Sequence, residues 1–259
     1  MISLVEQYER QHIWRSFSDV YDLLGDLNGS RLIDVGCGTG SVLVDLLDRG
    51  CEVVGIDMNG TLVEHAQAKL RSNGVVIVAD FDEPETWPMK PYNFIWSSFA
   101  IAYASDPVRT LSNWRKTMTE NGKLVLIEVN KLFNHEPMNQ TDRAAVEHFY
   151  DEADRIGQYN FRAGSCLEQW VENAGFKIET SFCIPDSELA FEGPVSADVA
   201  LSWKNRFLRM PRLATLMPDG FEGRFHQSLQ DKTHISKCSV NVVLATNHVN
   251  AVGRYTRNE

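Results

Sequence analysis

Leu32-Ile33-Asp34-Val35-Gly36-Cys37-Gly38-Thr39-Gly40 carries an apolar stretch straight into three alternate glycines, and Val42, Leu43, Leu46 and Leu47 then recur at helical spacing until Gly50. A strand, a glycine-lined bend and a helix in that order constrain the fold more than any other feature of the 259 residues. Glycine tolerates a tight turn and lets a ligand approach the backbone, and the helix start presents unpaired N–H groups. Open α/β sheets bind ligands beyond the carboxyl ends of their strands, where such a bend sits.

The first half of the chain repeats this alternation. Short β-branched runs at 31–35, 52–56, 75–79, 93–97 and 124–129 are separated by helix-period segments, the sequence form of successive βαβ units and a parallel sheet. Residues 61–70 read as a second crossover helix. Val108, Leu111, Trp114, Arg115 and Met118 place an apolar face on a third, expected to end at Asn121-Gly122. Further helices are expected at 142–156 and 166–174, and strands at 176–184 and 240–245. Residues 3–24 carry Leu4, Tyr8, His12, Trp14, Phe17, Val20 and Tyr21 in one aromatic-rich helical pattern.

The expected fold is therefore α/β, Rossmann-like and doubly wound: a mostly parallel seven-stranded sheet with an antiparallel last strand, an N-terminal helical cap and a helical insertion before the last strand. One domain spans 1–259, with its core at about 28–185 and 239–247, the cap at 1–27 and the insertion at about 186–238. A stretch as long as that insertion, inside one domain, carries structure or function of its own. The polar tail after Asn247 is expected to fray.

Composition closes off several function classes. A hydrophobic content of 43% supports a full core. No run approaches the roughly 20 uninterrupted apolar residues of a membrane helix, and no basic segment with a long apolar run opens the chain; a soluble, cytoplasmic protein with no membrane partner is expected. Thirty-five acidic against 25 basic residues give a net charge of -10, which disfavours nucleic acid as a partner. Five scattered cysteines without a CxxC pair indicate neither a disulfide framework nor a metal site. A monomer or homodimer acting on a small molecule fits.

Glycine spacing separates two ligand classes. A nicotinamide-binding loop needs Gly or Ala three residues after its second glycine, but position 41 is Ser and Gly40 falls one residue early. Asp34-Val35-Gly36-Cys37-Gly38-Thr39-Gly40 instead resembles the first motif of the class I S-adenosylmethionine (SAM)-dependent methyltransferases, an acidic residue followed by GxGxG. The resemblance implies that Asp34, Gly36, Cys37, Gly38 and Gly40 hold the methionyl part of SAM, and of the product S-adenosylhomocysteine (SAH). It places Asp57, in Gly55-Ile56-Asp57-Met58, on the ribose hydroxyls and Met58 against the adenine; a carboxylate can accept from both hydroxyls of a diol.

Val78-Ala79-Asp80-Phe81 supplies Asp80 for the adenine amino group and Phe81 as an apolar wall. Tyr92-Asn93-Phe94-Ile95-Trp96-Ser97-Ser98, followed by Asp106-Pro107, resembles the family's strand-four signature and adds Ser97 and Ser98 to the cofactor set. Asn93 stands where the family has Asp, a departure that reads as structural. Ile101-Ala102-Tyr103 replaces a histidine-containing segment of relatives, which leaves the acceptor open. Asn121-Gly122-Lys123-Leu124-Val125-Leu126-Ile127-Glu128 follows the family's entrance to strand five, so the resemblance covers about residues 28–130.

It implies methyl transfer to O, N or C of a small molecule of natural-product or small-metabolite type, and the aromatic content of residues 8–21 and of the insertion points to an apolar, ring-bearing acceptor. A non-catalytic SAM-binding regulator or scaffold, a nicotinamide-dependent dehydrogenase, and an enzyme moving another group from a modified SAM are the alternatives. SAM brings an activated methyl, so positioning an acceptor and excluding water could suffice. Where a base is needed, His135 is the first candidate, against its being a loop histidine, with Tyr103 as an acceptor contact. Tyr8, His12, Trp14 and Tyr21 either line an acceptor pocket or belong to the core. Lys204, Arg206, Arg209 and Arg212 interleave with Trp203, Phe207, Leu208 and Leu213, either as a lid whose cations meet an acidic acceptor or as a solvated face over a packed one.

Overall fold

The computed structural model describes residues 2–248; the tail beyond Asn247, apart from His248, lies outside the described residues. Seven strands build the central sheet: β1 (Arg31–Val35), β2 (Glu52–Asp57), β3 (Gly74–Val78), β4 (Tyr92–Ser98), β5 (Met118–Asn130), β7 (Lys177–Ile184) and β9 (Ser239–Thr246). Their order is β3-β2-β1-β4-β5-β9-β7. The first five pair in parallel, and β9 runs antiparallel to both β5 and β7. Sequence order reverses between β1 and β4, so the ends of these two strands flank the crevice in which such sheets take ligands.

Alternation along the strands sorts the core into two layers. Leu32, Phe94, Trp96, Val125 and Ile127 face one side, while Ile33, Ile95, Leu124 and Leu126 face the other. Both sides are covered, as a parallel sheet requires. On the first lie α3 (Ser41–Leu47) and α4 (Gly60–Leu70), which bury Val42, Leu43, Leu46, Val63, Ala66 and Leu70. On the second lie α5 (Pro107–Arg115) and α7 (Ala163–Asn173), with Leu111, Trp114, Leu167 and Val171. Each of the buried Val and Leu side chains contributes roughly 1.5–3 kcal/mol. Local sequence sets the helix starts: Asn59 caps α4 through Thr61 and Leu62 N–H, and Asp106 caps α5 ahead of Pro107.

The N-terminal pattern divides into α1 (Leu4–Ile13) and α2 (Ser18–Leu23) rather than one helix. The break lets Phe17 and Tyr21 pack on Trp96 at centroid distances of 5.4 and 5.2 Å. Asn121-Gly122 does not stop α5, which ends at Arg115; Asn121 turns at φ +62° inside β5, and its N–H meets the Asn247 carbonyl. Before α7 runs α6 (Gln140–Arg155). The insertion is mainly helical, with α8 (Ala197–Leu208), α9 (Pro211–Leu216) and α10 (Phe221–Leu229). A two-stranded ribbon, β6 (His135–Glu136) against β8 (Ile235–Ser236), ties it to the end of β5. Among the described residues no helix is long and apolar enough to cross a membrane.

Candidate functional site

The glycine bend is held by its neighbour strand. Gly36 and Cys37 N–H both donate to the Ile56 carbonyl at 2.8 and 2.9 Å, which brings the end of β2 under the loop. The glycines have positive φ: 79° at Gly36, 52° at Gly38 and 74° at Gly40. A Cβ on Gly36 would lie 2.5 Å from the Ala100 Cβ, so only glycine lets the end of β4 close against the bend. Gly38 lies under the Tyr8 ring of α1, and Gly40 starts α3.

Asp57 is the link between the strands. One carboxylate oxygen accepts from Gly38 N–H at 3.0 Å and the other from Asn59 N–H at 2.8 Å. Both bonds fix its orientation while the side chain stays part-exposed, with lone pairs left for a diol. Asp34, buried beneath, has an unpartnered Oδ1. Burial, reinforced by Asp57, pushes its carboxyl well above the usual range. Cys37 is also buried, its sulfur turned onto Gly55, and burial pushes its thiol up.

Beside Met58, which is 66% exposed, a cavity of about 330 Å³ is lined by Ile77, Val78, Ala79, Asp80, Glu83 and Thr86. An exposed thioether over an open groove is a surface without a partner in the fold. Asp80 accepts from Asp82 N–H, and Phe81 packs edge-on to Trp114. Ser97 is a buried strut whose hydroxyl donates to the Val35 carbonyl, whereas Ser98 is half-buried. Asn93 accepts from Arg31 N–H at the opposite end of the strands, the structural role its departure suggested.

The acceptor-side candidates separate. Tyr8 lies between Gly38 and the Arg209 guanidinium, 5.8 Å from its ring centroid. Tyr103 is 56% exposed and meets Tyr159 edge-on at 4.8 Å. His12 and Tyr21 both bond Asp45 on α3, at 3.1 and 3.0 Å, so they clamp the cap to the core instead of lining a pocket. Trp14 is half-buried against the core, its carbonyl accepting from Ser187 N–H.

His135 is fully buried among Trp203, Phe225 and His234. Its ring nitrogens face His234 Nε2 at 3.0 Å and the Leu132 carbonyl at 3.2 Å. Burial, with His234 beside it, lowers its pKa to about 3. The ring is thus a neutral packing element, which corrects the expectation of an accessible base.

Arg206 is not solvated either. Its guanidinium meets the buried Glu188 at 2.6 Å, and Ser202 and Gln11 donate to the same oxygen. Burial would raise the Glu188 carboxyl, but Arg206 and Arg15 hold it below the usual range. Lys204 and Arg212 are exposed, while Trp203, Phe207 and Leu213 are buried, so α8 and α9 show the solvated face over a packed one, and Arg206 is spent on an internal ion pair.

Sequence reading left out this charged layer. Arg15 lies 3.6 Å from the buried Asp186 and 4.2 Å from the Phe99 ring centroid. Glu128 is fully buried at the end of β5. It accepts from Ala102 N–H, Val129 N–H and the Tyr159 hydroxyl. One signal did mark it: a carboxylate in the run Leu124-Val125-Leu126-Ile127-Glu128-Val129 breaks an otherwise apolar strand. Glu188 and Asp186 have no comparable local mark.

The family model for the methyltransferase domain matches residues 7–181. An uncharacterized methyltransferase of Geobacillus thermodenitrificans is 25% identical over 179 residues, covering 67% of this chain and 82% of the relative. The solved structure of a candidate methyltransferase from Bacillus halodurans superposes with a TM-score of 0.60 at 17% identity, over 90% of this chain and 99% of that one. Geranyl diphosphate C-methyltransferase of Streptomyces coelicolor, solved with SAH, geranyl diphosphate and Mg2+, has a TM-score of 0.54 at 16% identity, over 89% and 80% of the two chains.

Proposed function

Since the chain belongs to the class I SAM-dependent methyltransferases, we propose that it binds SAM across the bend between β1 and α3 and methylates a small, ring-bearing acceptor of natural-product type. Family membership removes the support for a dehydrogenase. One observation carries the placement: Asp57, pinned by Gly38 and Asn59 N–H at the exit of the bend, keeps a fixed, part-exposed carboxylate where β1 and β2 end together. Such a group grips a ribose diol by charge-assisted hydrogen bonds.

The methionyl end is taken to run along the bend, where Ala100 closes on Gly36 and Tyr8 covers Gly38, with Asp34 beneath. The groove at Met58 and Asp80 suits a flat base, with Asp80 taking its amino group and Phe81 behind. SAM supplies a methyl carbon already activated by its sulfonium. The protein's share of the work is alignment and exclusion of water. Tyr8 and Tyr103, at the mouth between the cap and the end of β4, offer aromatic surface for the acceptor ring, and Arg209 stands over Tyr8.

Calorimetry with SAM and SAH tests the placement. Asp57→Ala is expected to weaken both by roughly 1.5–3 kcal/mol, about tenfold to a hundredfold, through lost charge-assisted bonds. Unaltered affinity would remove Asp57 from the site.

A further inference from the structure

Glu128 is the buried titratable group for which neither packing nor the cofactor side accounts. Its neighbours form one continuous assembly. Ala100 closes on Gly36, and the 3-10 turn Ile101–Tyr103 follows at once. Ala102 N–H donates to Glu128 Oε1 at 3.2 Å, while the Ala102 carbonyl accepts from Asn160 N–H at 2.9 Å. That second bond holds the connection between α6 and α7 beside the turn, and the Tyr159 hydroxyl on this connection donates to Glu128 Oε2 at 3.0 Å. Tyr159 in turn meets the exposed Tyr103 ring. From the mouth inward the order is Tyr103, Tyr159, Glu128.

We propose that Tyr159 and Glu128 form a proton-accepting pair, and that the enzyme methylates acceptors which lose a proton from oxygen or nitrogen. The inference rests on the methyltransferase reading above. Tyr159 spends its one hydrogen on Glu128, so its lone pairs remain to accept from an acceptor O–H or N–H. As the acceptor's O–H or N–H bond breaks, its electron pair stays on the heteroatom that takes the methyl group. The proton goes to Tyr159 Oη while Tyr159's own proton forms the O–H bond of a neutral Glu128. Tyr159 ends unchanged and Glu128 holds the proton.

Electrostatics agree with that task. Burial pushes Glu128 up to about 7, against the pull of its three hydrogen bonds and of Arg15 from the cap, so it takes and releases a proton near neutrality. Tyr103, from the turn after β4, and Tyr159 face Glu128, and Arg206 on α8 faces Tyr159. Burial pushes the Tyr159 hydroxyl well above its usual value, which keeps it a neutral donor and relay. Glu128 acts through Tyr159 and is a positioning residue; Tyr159 is the group that touches the acceptor.

The test uses the full chain labelled at glutamate carboxyl carbons, saturated with SAH, with para-nitrophenol as the protic probe. NMR titration should find one carboxyl with a midpoint near neutrality that vanishes in Glu128→Gln and moves to higher pH in Tyr159→Phe. Adding the phenol at neutral pH should shift that resonance toward its protonated position while the nitrophenolate absorbance grows. Both changes should be lost in either variant, with SAH affinity retained. A Glu128 resonance that ignores the phenol, or one that responds equally in Tyr159→Phe, overturns the pair. Should Glu128→Gln fail to fold, Tyr159→Phe decides alone. Absence of SAH binding in the unaltered chain would instead defeat the methyltransferase reading.

Discussion

At the glycine bend, Gly38 reaches Asp57 across 19 residues of chain; between the cap and the insertion, Gln11 reaches Glu188 across 177. The first contact is made by two adjacent parallel strands, each delivering its end to the same edge of the sheet. The second exists only once the N-terminal cap and the insertion have both folded onto the core. Their chemistry differs as well. The glycine bend offers backbone and a part-exposed carboxylate, whereas the second region is a buried layer of Arg15, Asp186, Glu188 and Arg206 with unpartnered atoms of both signs. A ligand site can therefore be half written in consecutive residues and half assembled from distant ones. Damage to the halves should separate.

Glu188→Ala should show the largest effect and attack the assembled half. It strands the Arg206 charge in the interior, a loss of about 3–5 kcal/mol, read as a lower urea midpoint. SAM affinity of the protein that remains folded should stay within about twofold, a change under 0.5 kcal/mol; a parallel collapse of SAM binding would show that the two halves are one unit.

Glu128 lies at their junction, and its effect depends on pH. Its folded pKa of about 7 stands above the ordinary 4.5. The folded chain therefore holds a proton between those values that the unfolded chain has released, and stability falls as pH rises through that window. Glu128→Gln should remove its share of this slope, leaving the variant more stable relative to the parent at pH 8 than at pH 5 by on the order of 3 kcal/mol. Urea unfolding at the two pH values measures it, and a constant difference would remove the raised carboxyl.

Gly36→Ala should produce the smaller stability change and the opposite selectivity. A methyl group at φ +79°, 2.5 Å from the Ala100 Cβ, costs about 1–3 kcal/mol of stability, with SAM binding reduced at least about a hundredfold as the bend shifts. Calorimetry beside a thermal melt distinguishes this from general unfolding.

Legibility followed the same division. The bend at Gly36, Gly38 and Gly40 was readable because tight turning restricts which residues can stand there; Asp34 and Asp57 came from the resemblance, and the pairing of β1 with β2 brings Asp57 to the bend. His135 was misread because a histidine just past a strand gives no sign of burial; Trp203 and Phe225, which enclose it, come from α8 and α10. His12 and Tyr21 fit a helical stripe equally well as pocket wall or as clamp, and only the position of Asp45 on α3 decides for the clamp. Arg206 looked like one of four similar cations until Glu188 came within 2.6 Å.

By itself the sequence determined the order of strands and helices, the conformation of the glycine bend and the carboxylate beside it, because periodicity, glycine and capping act over a few residues. Tertiary structure decided which partners the buried polar groups meet. Pairing Glu188 with Arg206, and Glu128 with Tyr159, depends on segments that meet only in the folded core; the apolar run around Glu128 marks a buried carboxylate but not its partner.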